Sequence, residues 1–299
     1  MNGKPTWSST LHALLYLLPA AIVIGLFCIY PVYYTFDESL NVNGEFIYGA
    51  EAERGIGNYK IVWSDPLFHA AMKNTLIVIA GVVPVSLLLA LVIASGLRAR
   101  IHLKRYVQSA YFLPLVTSVV AASLAWRWLY HTEYGLINTG LSRIGLPAVS
   151  WLTSSEWALP ALILFIIWRS LGYNVLLLWI GLQSIPSEFE RAARADGVTV
   201  WSRWTKVTLP LLAPTLLFCV VNAIVHAGKT FDEAYALFGG GSGPMDSAMT
   251  VMFYVYEKFY GQSNYGIASA AAYILFAVMF SMSLWQFWLF RKRMGRNFY

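Results

Sequence analysis

The sequence is poor in charge. Aspartate, glutamate, lysine and arginine make up 12% of its 299 residues, about half the share of a typical soluble domain. So little polar cover excludes an ordinary soluble enzyme, whose large surface must face water. Cysteine is scarcer still. Cys28 and Cys219 are the only two, both inside apolar stretches, which excludes a disulfide scaffold. Histidine is sparse as well. His12, His69, His102 and His131 are scattered without metal-ligand spacing, and no metal site is expected. No nucleophile elbow of the G-x-S-x-G kind occurs, and no nucleophile–base pairing can be argued. Apolar residues, in contrast, reach 58%. That excludes intrinsic disorder and points to a polytopic helical membrane protein.

A membrane helix needs about 20 mostly apolar residues. Six stretches qualify, at 11–33, 71–97, 106–130, 157–182, 209–231 and 266–290. They lack the alternation of barrel strands and are rich in Leu, Ala, Val and Ile. The expected fold is therefore an all-α membrane protein with six transmembrane helices over 11–290, a short N-terminus at 1–10 and a tail at 291–299. The first stretch follows Lys4 as a signal peptide would, but its apolar run is too long for one, and it reads as a retained span.

Charge sets the orientation. Lys4, the 98–105 loop, the 183–208 loop and the tail hold 13 of the 21 basic residues and three of the 15 acids. The other side holds eight bases and 12 acids. Both termini are thus expected in the cytoplasm. The net charge of +6 reads as an insertion signal; no basic face of a nucleic-acid-binding domain is present. The outer loops are longer. Residues 131–156 are expected to hold a short helix around Leu136–Ile144. Gly239-Gly240-Gly241-Ser242-Gly243-Pro244 must be a turn or flexible segment. Trp126, Trp128, Trp151 and Trp157 fall near outer span ends, as an interfacial belt would, with Arg127 beside them. No internal repeat is strong enough to argue from.

The loop between spans four and five is the most informative. Ser187 and Glu190 have capping-box spacing, so a helix should start at Ser187. Pro186 ends the preceding span. Ala192, Ala193 and Ala195 favour helix, and Gly197 suits the left-handed cap that ends it. Val198, Trp201 and Trp204 then suggest an amphipathic stretch against the bilayer, with Pro210 in the tolerated first turn of the next span. A short capped helix tied at both ends to membrane helices would serve as a lever. It would equally serve as a solvated connector.

This segment resembles the EAA loop of permease subunits of ATP-binding-cassette importers. Ala192, Ala193 and Gly197 match that pattern, as does Val207-Thr208-Leu209-Pro210 downstream. Leu182-Gln183-Ser184-Ile185-Pro186, Phe231-Asp232, the glycine-rich turn ending in Pro244, and Tyr265-Gly266-Ile267-Ala268-Ser269-Ala270 also look like this family. Ile56-Gly57-Asn58-Tyr59 resembles its G-x-x-N-[YF] segment. The likeness is greatest to the carbohydrate-type subgroup, the maltose and glycerol-3-phosphate channel subunits. One departure matters. The usual glutamate position falls on Arg191, and Glu190 would point about 100° away on a helix.

The resemblance implies a bacterial or archaeal cytoplasmic-membrane permease, not itself an enzyme. It implies a second homologous permease, a dimeric cytoplasmic ATP-binding subunit carrying ATP and Mg, and an extracytoplasmic solute-binding protein. The 187–197 segment would be the coupling helix, with Glu188, Glu190, Arg191, Ala192, Ala193, Asp196 and Gly197 facing the ATPase. Membrane lipid surrounds the chain, and no nucleic acid or cofactor is expected on it. The glycine-rich 239–244 turn is a candidate contact with substrate or binding protein.

Ala223-Ile224-Val225-His226-Ala227-Gly228-Lys229-Thr230 looks like a phosphate-binding loop but lacks the first glycine and lies in a span. Arg169, His226 and Lys229 still need an explanation, since cations within a membrane usually face a cavity or a partner. Lys229 could instead snorkel, or pair with Asp232 or Glu233. In the maltose-type subunit, sugar-pocket residues come from the spans before and after the EAA loop. Counting from Pro186 and Gly197, with a one-residue gap near Pro214, places those positions at Ile166, Ser170, Tyr173, Val225, His226 and Lys229. Asn174, Asn222 and His226 offer hydrogen bonds, Tyr173 a stacking face, and Arg169 and Lys229 positive charge. The expected substrate is a sugar or sugar-derived solute, including one bearing phosphate, sulfonate or carboxylate. The alternative is an ion-coupled secondary transporter of a small polar solute. It would want intramembrane carboxylates as a relay, and the spans offer no convincing pair.

Overall fold

The computed structural model describes residues 7–42, 53–98, 111 and 113–294. Among these residues the regular structure is helical, apart from an isolated antiparallel bridge between Asn41 and Arg54. Five helices are long and apolar enough to cross a membrane: Leu15–Ser39, Pro66–Leu97, Ala158–Gln183, Val200–Gly228 and Tyr265–Lys292. A shorter apolar helix, Val119–Leu129, has 11 residues. The expected 106–130 span falls partly outside the described residues, as do Lys4, most of the 98–105 basic loop and Arg296. Large apolar side chains stand outward on these helices. Val92, Phe218 and Trp285 are 71%, 57% and 61% exposed, a pattern that suits hydrocarbon as solvent.

The chain divides into two compact units, Met1–Asp65 with Val255–Tyr273, and Pro66–Tyr254 with Ile274–Tyr299. In the first unit, helix Trp7–Ile24 runs through a π-helical turn at Gly25–Ile29 into helix Tyr30–Ser39. It therefore extends beyond the expected 11–33. The unit is held by polar groups that would otherwise be stranded. The Asn58 amide donates to the carbonyls of Ser39 and Asn41 at 3.1 and 2.9 Å. Tyr59 and Ser39 share a hydroxyl–hydroxyl bond of 2.8 Å, and Tyr273 donates to the Val32 carbonyl at 2.6 Å. Asn58 lies in a short helix, Gly57–Ser64, which the outer-loop reading did not contain.

In the second unit, helices Pro66–Arg98 and Ala158–Gln183 form the main contact, joined by Leu209–Gly228. Val78, Leu162, Leu178, Leu182 and Leu212 are fully buried there. Small residues allow close approach, as membrane packing favours. A side chain at Gly172 would collide with the Tyr111 carbonyl. Trp126 belongs to this core instead of the expected interfacial belt. It is 9% exposed and packs on Tyr130, Phe165 and Trp168, because it falls on the inner face of Val119–Leu129. Trp128, two residues on, is 71% exposed.

The short helix expected at 136–144 is present as Leu136–Arg143. Asn138 ties its loop together, donating to Thr132 and Val149 carbonyls and accepting from the Val149 amide and the Trp151 indole. The glycine-rich turn is equally organised. Gly239, Gly240 and Gly243 take positive φ, and the Asn74 amide donates to the carbonyls of Ser247 and Met249.

Candidate functional site

A cavity of about 230 Å³ opens inside the second unit. Its wall includes Arg169, Ser170, Tyr173 and Asn174 from helix Ala158–Gln183, Asn222 and His226 from Leu209–Gly228, and Ser86 from Pro66–Arg98. Six of the seven residues singled out for the substrate pathway thus stand on one wall, as does Ile166. Their spacing explains this. Residues 166, 170, 173 and 174 recur at three- and four-residue intervals and share one helix face, as do 222 and 226. Lys229 is the exception. It is exposed at the end of its helix and is not on the wall. Among the described residues it has no ion pair.

Arg169 is fixed by two acceptors. Its Nε lies 3.5 Å from Glu233 Oε1, and its Nη1 donates to the Thr117 carbonyl at 3.5 Å. That carbonyl is available because the helix breaks there. Ser118 is extended and its hydroxyl takes the Ala121 amide, which in an unbroken helix would bond to Thr117. Glu233 sits in an unexpected short helix, Asp232–Leu237, and pairs with Arg169 and not with Lys229. Asn174 is buried and donates to Ser86 Oγ at 3.2 Å.

Sequence reasoning missed Ser86, Pro114 and Glu233 on this wall. Ser86 lies in an apolar run and carried no periodic signal. Glu233 drew notice only as a candidate partner for Lys229.

The loop after Ala158–Gln183 forms a helix at Ser187–Ala195. Its start differs from the expected capping box. Ser187 is already helical, and its hydroxyl accepts from Arg191 Nη2 at 2.7 Å. Glu190 pairs instead with Arg194 at 3.8 Å. The C-terminus follows the expected design. Gly197 has φ of 70°, its amide bonds to Arg194, and the Val198 amide bonds back to Ala193, which is a Schellman motif. Glu188, Arg191, Ala192, Asp196 and Gly197 are exposed, Glu190 is half-buried, and Ala193 is buried. The helix packs on a π-helical turn, Trp204–Thr208. The next helix is continuous from Val200 to Gly228, so the amphipathic stretch expected near Trp201 is the first turn of that helix.

Residues 74–295 match the model of the binding-protein-dependent transport system inner membrane component. The chain belongs to this permease family. The permease is 30% identical over 283 residues to the lactose transport system permease protein LacF of Rhizobium radiobacter, covering 93% of this chain and 94% of that one. It is 32% identical over 284 residues to the sulfoquinovosyl glycerol transport system permease protein SmoG of Agrobacterium fabrum, covering 92% and 90%. Among solved structures it resembles a chain of a bacterial ABC transporter involved in import of the acidic polysaccharide alginate, with TM-score 0.75, 26% identity and 95% of each chain covered. A second structure, of the alginate transporter in complex with an alginate pentasaccharide-bound periplasmic protein, gives TM-score 0.77, 25% identity and coverage of 97% and 99%. These relatives are transport subunits and not enzymes. The permease is a multi-pass inner-membrane protein, and the family does not favour the ion-coupled alternative.

Proposed function

We propose that this chain is one of two permease subunits of an ATP-driven importer and forms half of the pathway for a sugar or sugar-derived solute. The carrying observation is the cavity between the helices that flank the 187–197 loop, where polar side chains interrupt an apolar wall. Its hydroxyls, amides and the half-exposed Tyr173 ring suit a polyol, through hydrogen bonds and stacking. At about 230 Å³ the cavity is smaller than typical ligand sites of ~300–1,000 Å³. A second permease would supply the remaining wall. The relatives' named solutes, lactose and sulfoquinovosyl glycerol, support the sugar class. With Lys229 away from the wall, an acidic solute would have Arg169 as its main partner.

In this reading the six spans lie across 11–290, both termini and the 291–299 tail are cytoplasmic, and Ser187–Ala195 is the coupling helix. Its exposed residues meet a separate ATPase dimer, which binds ATP and Mg; this chain holds no cofactor. An extracytoplasmic binding protein delivers solute to the outer loops, the 239–244 turn among them. A tagged chain purified from native membranes in mild detergent tests the assembly. The expected result is co-purification of an ATPase and a second permease, with ATP hydrolysis. Purification as a homo-oligomer without hydrolysis would overturn it in favour of an ion-coupled carrier.

A further inference from the structure

We infer that Glu233 sets the charge selectivity of the cavity, holding Arg169 in an ion pair so that the site takes uncharged sugars and turns acidic ones away. This rests on the sugar reading above and adds to it a residue and a substrate class. The two side chains lie 3.5 Å apart on the same wall. Glu233 is 8% exposed, and a buried carboxylate is costly unless a cation pairs with it. Arg169 supplies that cation, and the Thr117 carbonyl takes a second of its donors. The pair brings no net charge to the wall.

An acidic sugar could engage Arg169 only beside or in place of Glu233. Either way a second anion approaches a buried carboxylate, and like charges a few ångströms apart repel strongly in this setting. A sugar hydroxyl faces no such conflict. It donates and accepts, so it can bond to Glu233 and Arg169 without separating them.

The test uses the assembled transporter in lipid nanodiscs and two probe pairs matched in size, glucose with glucuronate and lactose with lactobionate. Retention of each is read by native mass spectrometry. Wild-type protein should retain the neutral member of each pair. In E233Q, which leaves Arg169 uncompensated, the neutral-to-acidic ratio should fall on the order of ten-fold or more. R169Q combined with E233Q removes both charges and should return the neutral preference, separating a charge effect from misfolding. A wild-type preference for the acids, or an unchanged ratio in E233Q, would overturn the inference and leave the sugar reading standing. Retention of no sugar by any of the three proteins would overturn both.

Discussion

The amide of Asn174 donates to the hydroxyl of Ser86 across 3.2 Å, between residues 88 positions apart in sequence. Both are buried. The bond ties the two most closely packed helices of the second unit where the cavity wall begins. Asn174→Leu should leave the Ser86 hydroxyl without this partner and lower stability by about 1–3 kcal/mol. Thermal unfolding of the detergent-solubilised protein checks it. Adding Ser86→Ala should cost less than it does alone, since the two share one interaction.

Gly197 is held at φ of 70° with no neighbouring atom within reach of an added Cβ. The strain of a side chain there is therefore conformational and not steric. Gly197→Val should cost about 1–2 kcal/mol locally and loosen the end of the Ser187–Ala195 helix. The expected outcome is normal assembly with weakened ATP hydrolysis in the purified complex. Gly197→Asn, which tolerates this backbone, should retain most of it.

Lys229 stands off the cavity wall. Lys229→Met should therefore leave the preference for neutral over acidic sugars unchanged, and lower neutral-sugar uptake by less than Asn222→Ala does. A shifted neutral-to-acidic preference in Lys229→Met would show that the lysine faces the pathway.

Arg191 is exposed and hydrogen-bonded to Ser187. Arg191→Glu should alter stability by less than about 0.5 kcal/mol, as surface changes do. Transport should stay within about two-fold, because buried Ala193 and the Gly197 cap hold the helix. Intact assembly with lost transport would point to an acidic ATPase surface matched to arginine.

Five apolar spans and much of the cavity wall were legible because both rest on local pattern. A 20-residue apolar run is visible without knowing its neighbours, and a polar residue inside one is conspicuous. Arg169, Asn174, Asn222 and His226 stood out that way. Gly197 stood out because its place after an alanine-rich helix needs a positive φ. What stayed hidden depends on contacts distant in sequence. Glu233 gains its importance from Arg169, 64 positions earlier. The Ser187–Glu190 capping box failed because Arg191 and Arg194, one helical turn further on, offered stronger charge-assisted partners. Trp126 was misplaced because a tryptophan near a span end reads as interfacial until its helix face is known.

The π-helical turn at Trp204–Thr208 has a geometric consequence. It carries one residue more than an α-helical turn would, with the Leu209 amide reaching back five positions to Trp204. Side chains before it are thus rotated by about 100° from where an unbroken helix would put them. Counting in threes and fours from Trp201 toward Asn222 loses phase at that point. Deleting one residue from 204–208 would keep every apolar run intact and still turn the beginning of the span to a different face. The phase of this helix, as much as its composition, decides which face meets the Ser187–Ala195 helix and which carries Asn222 and His226.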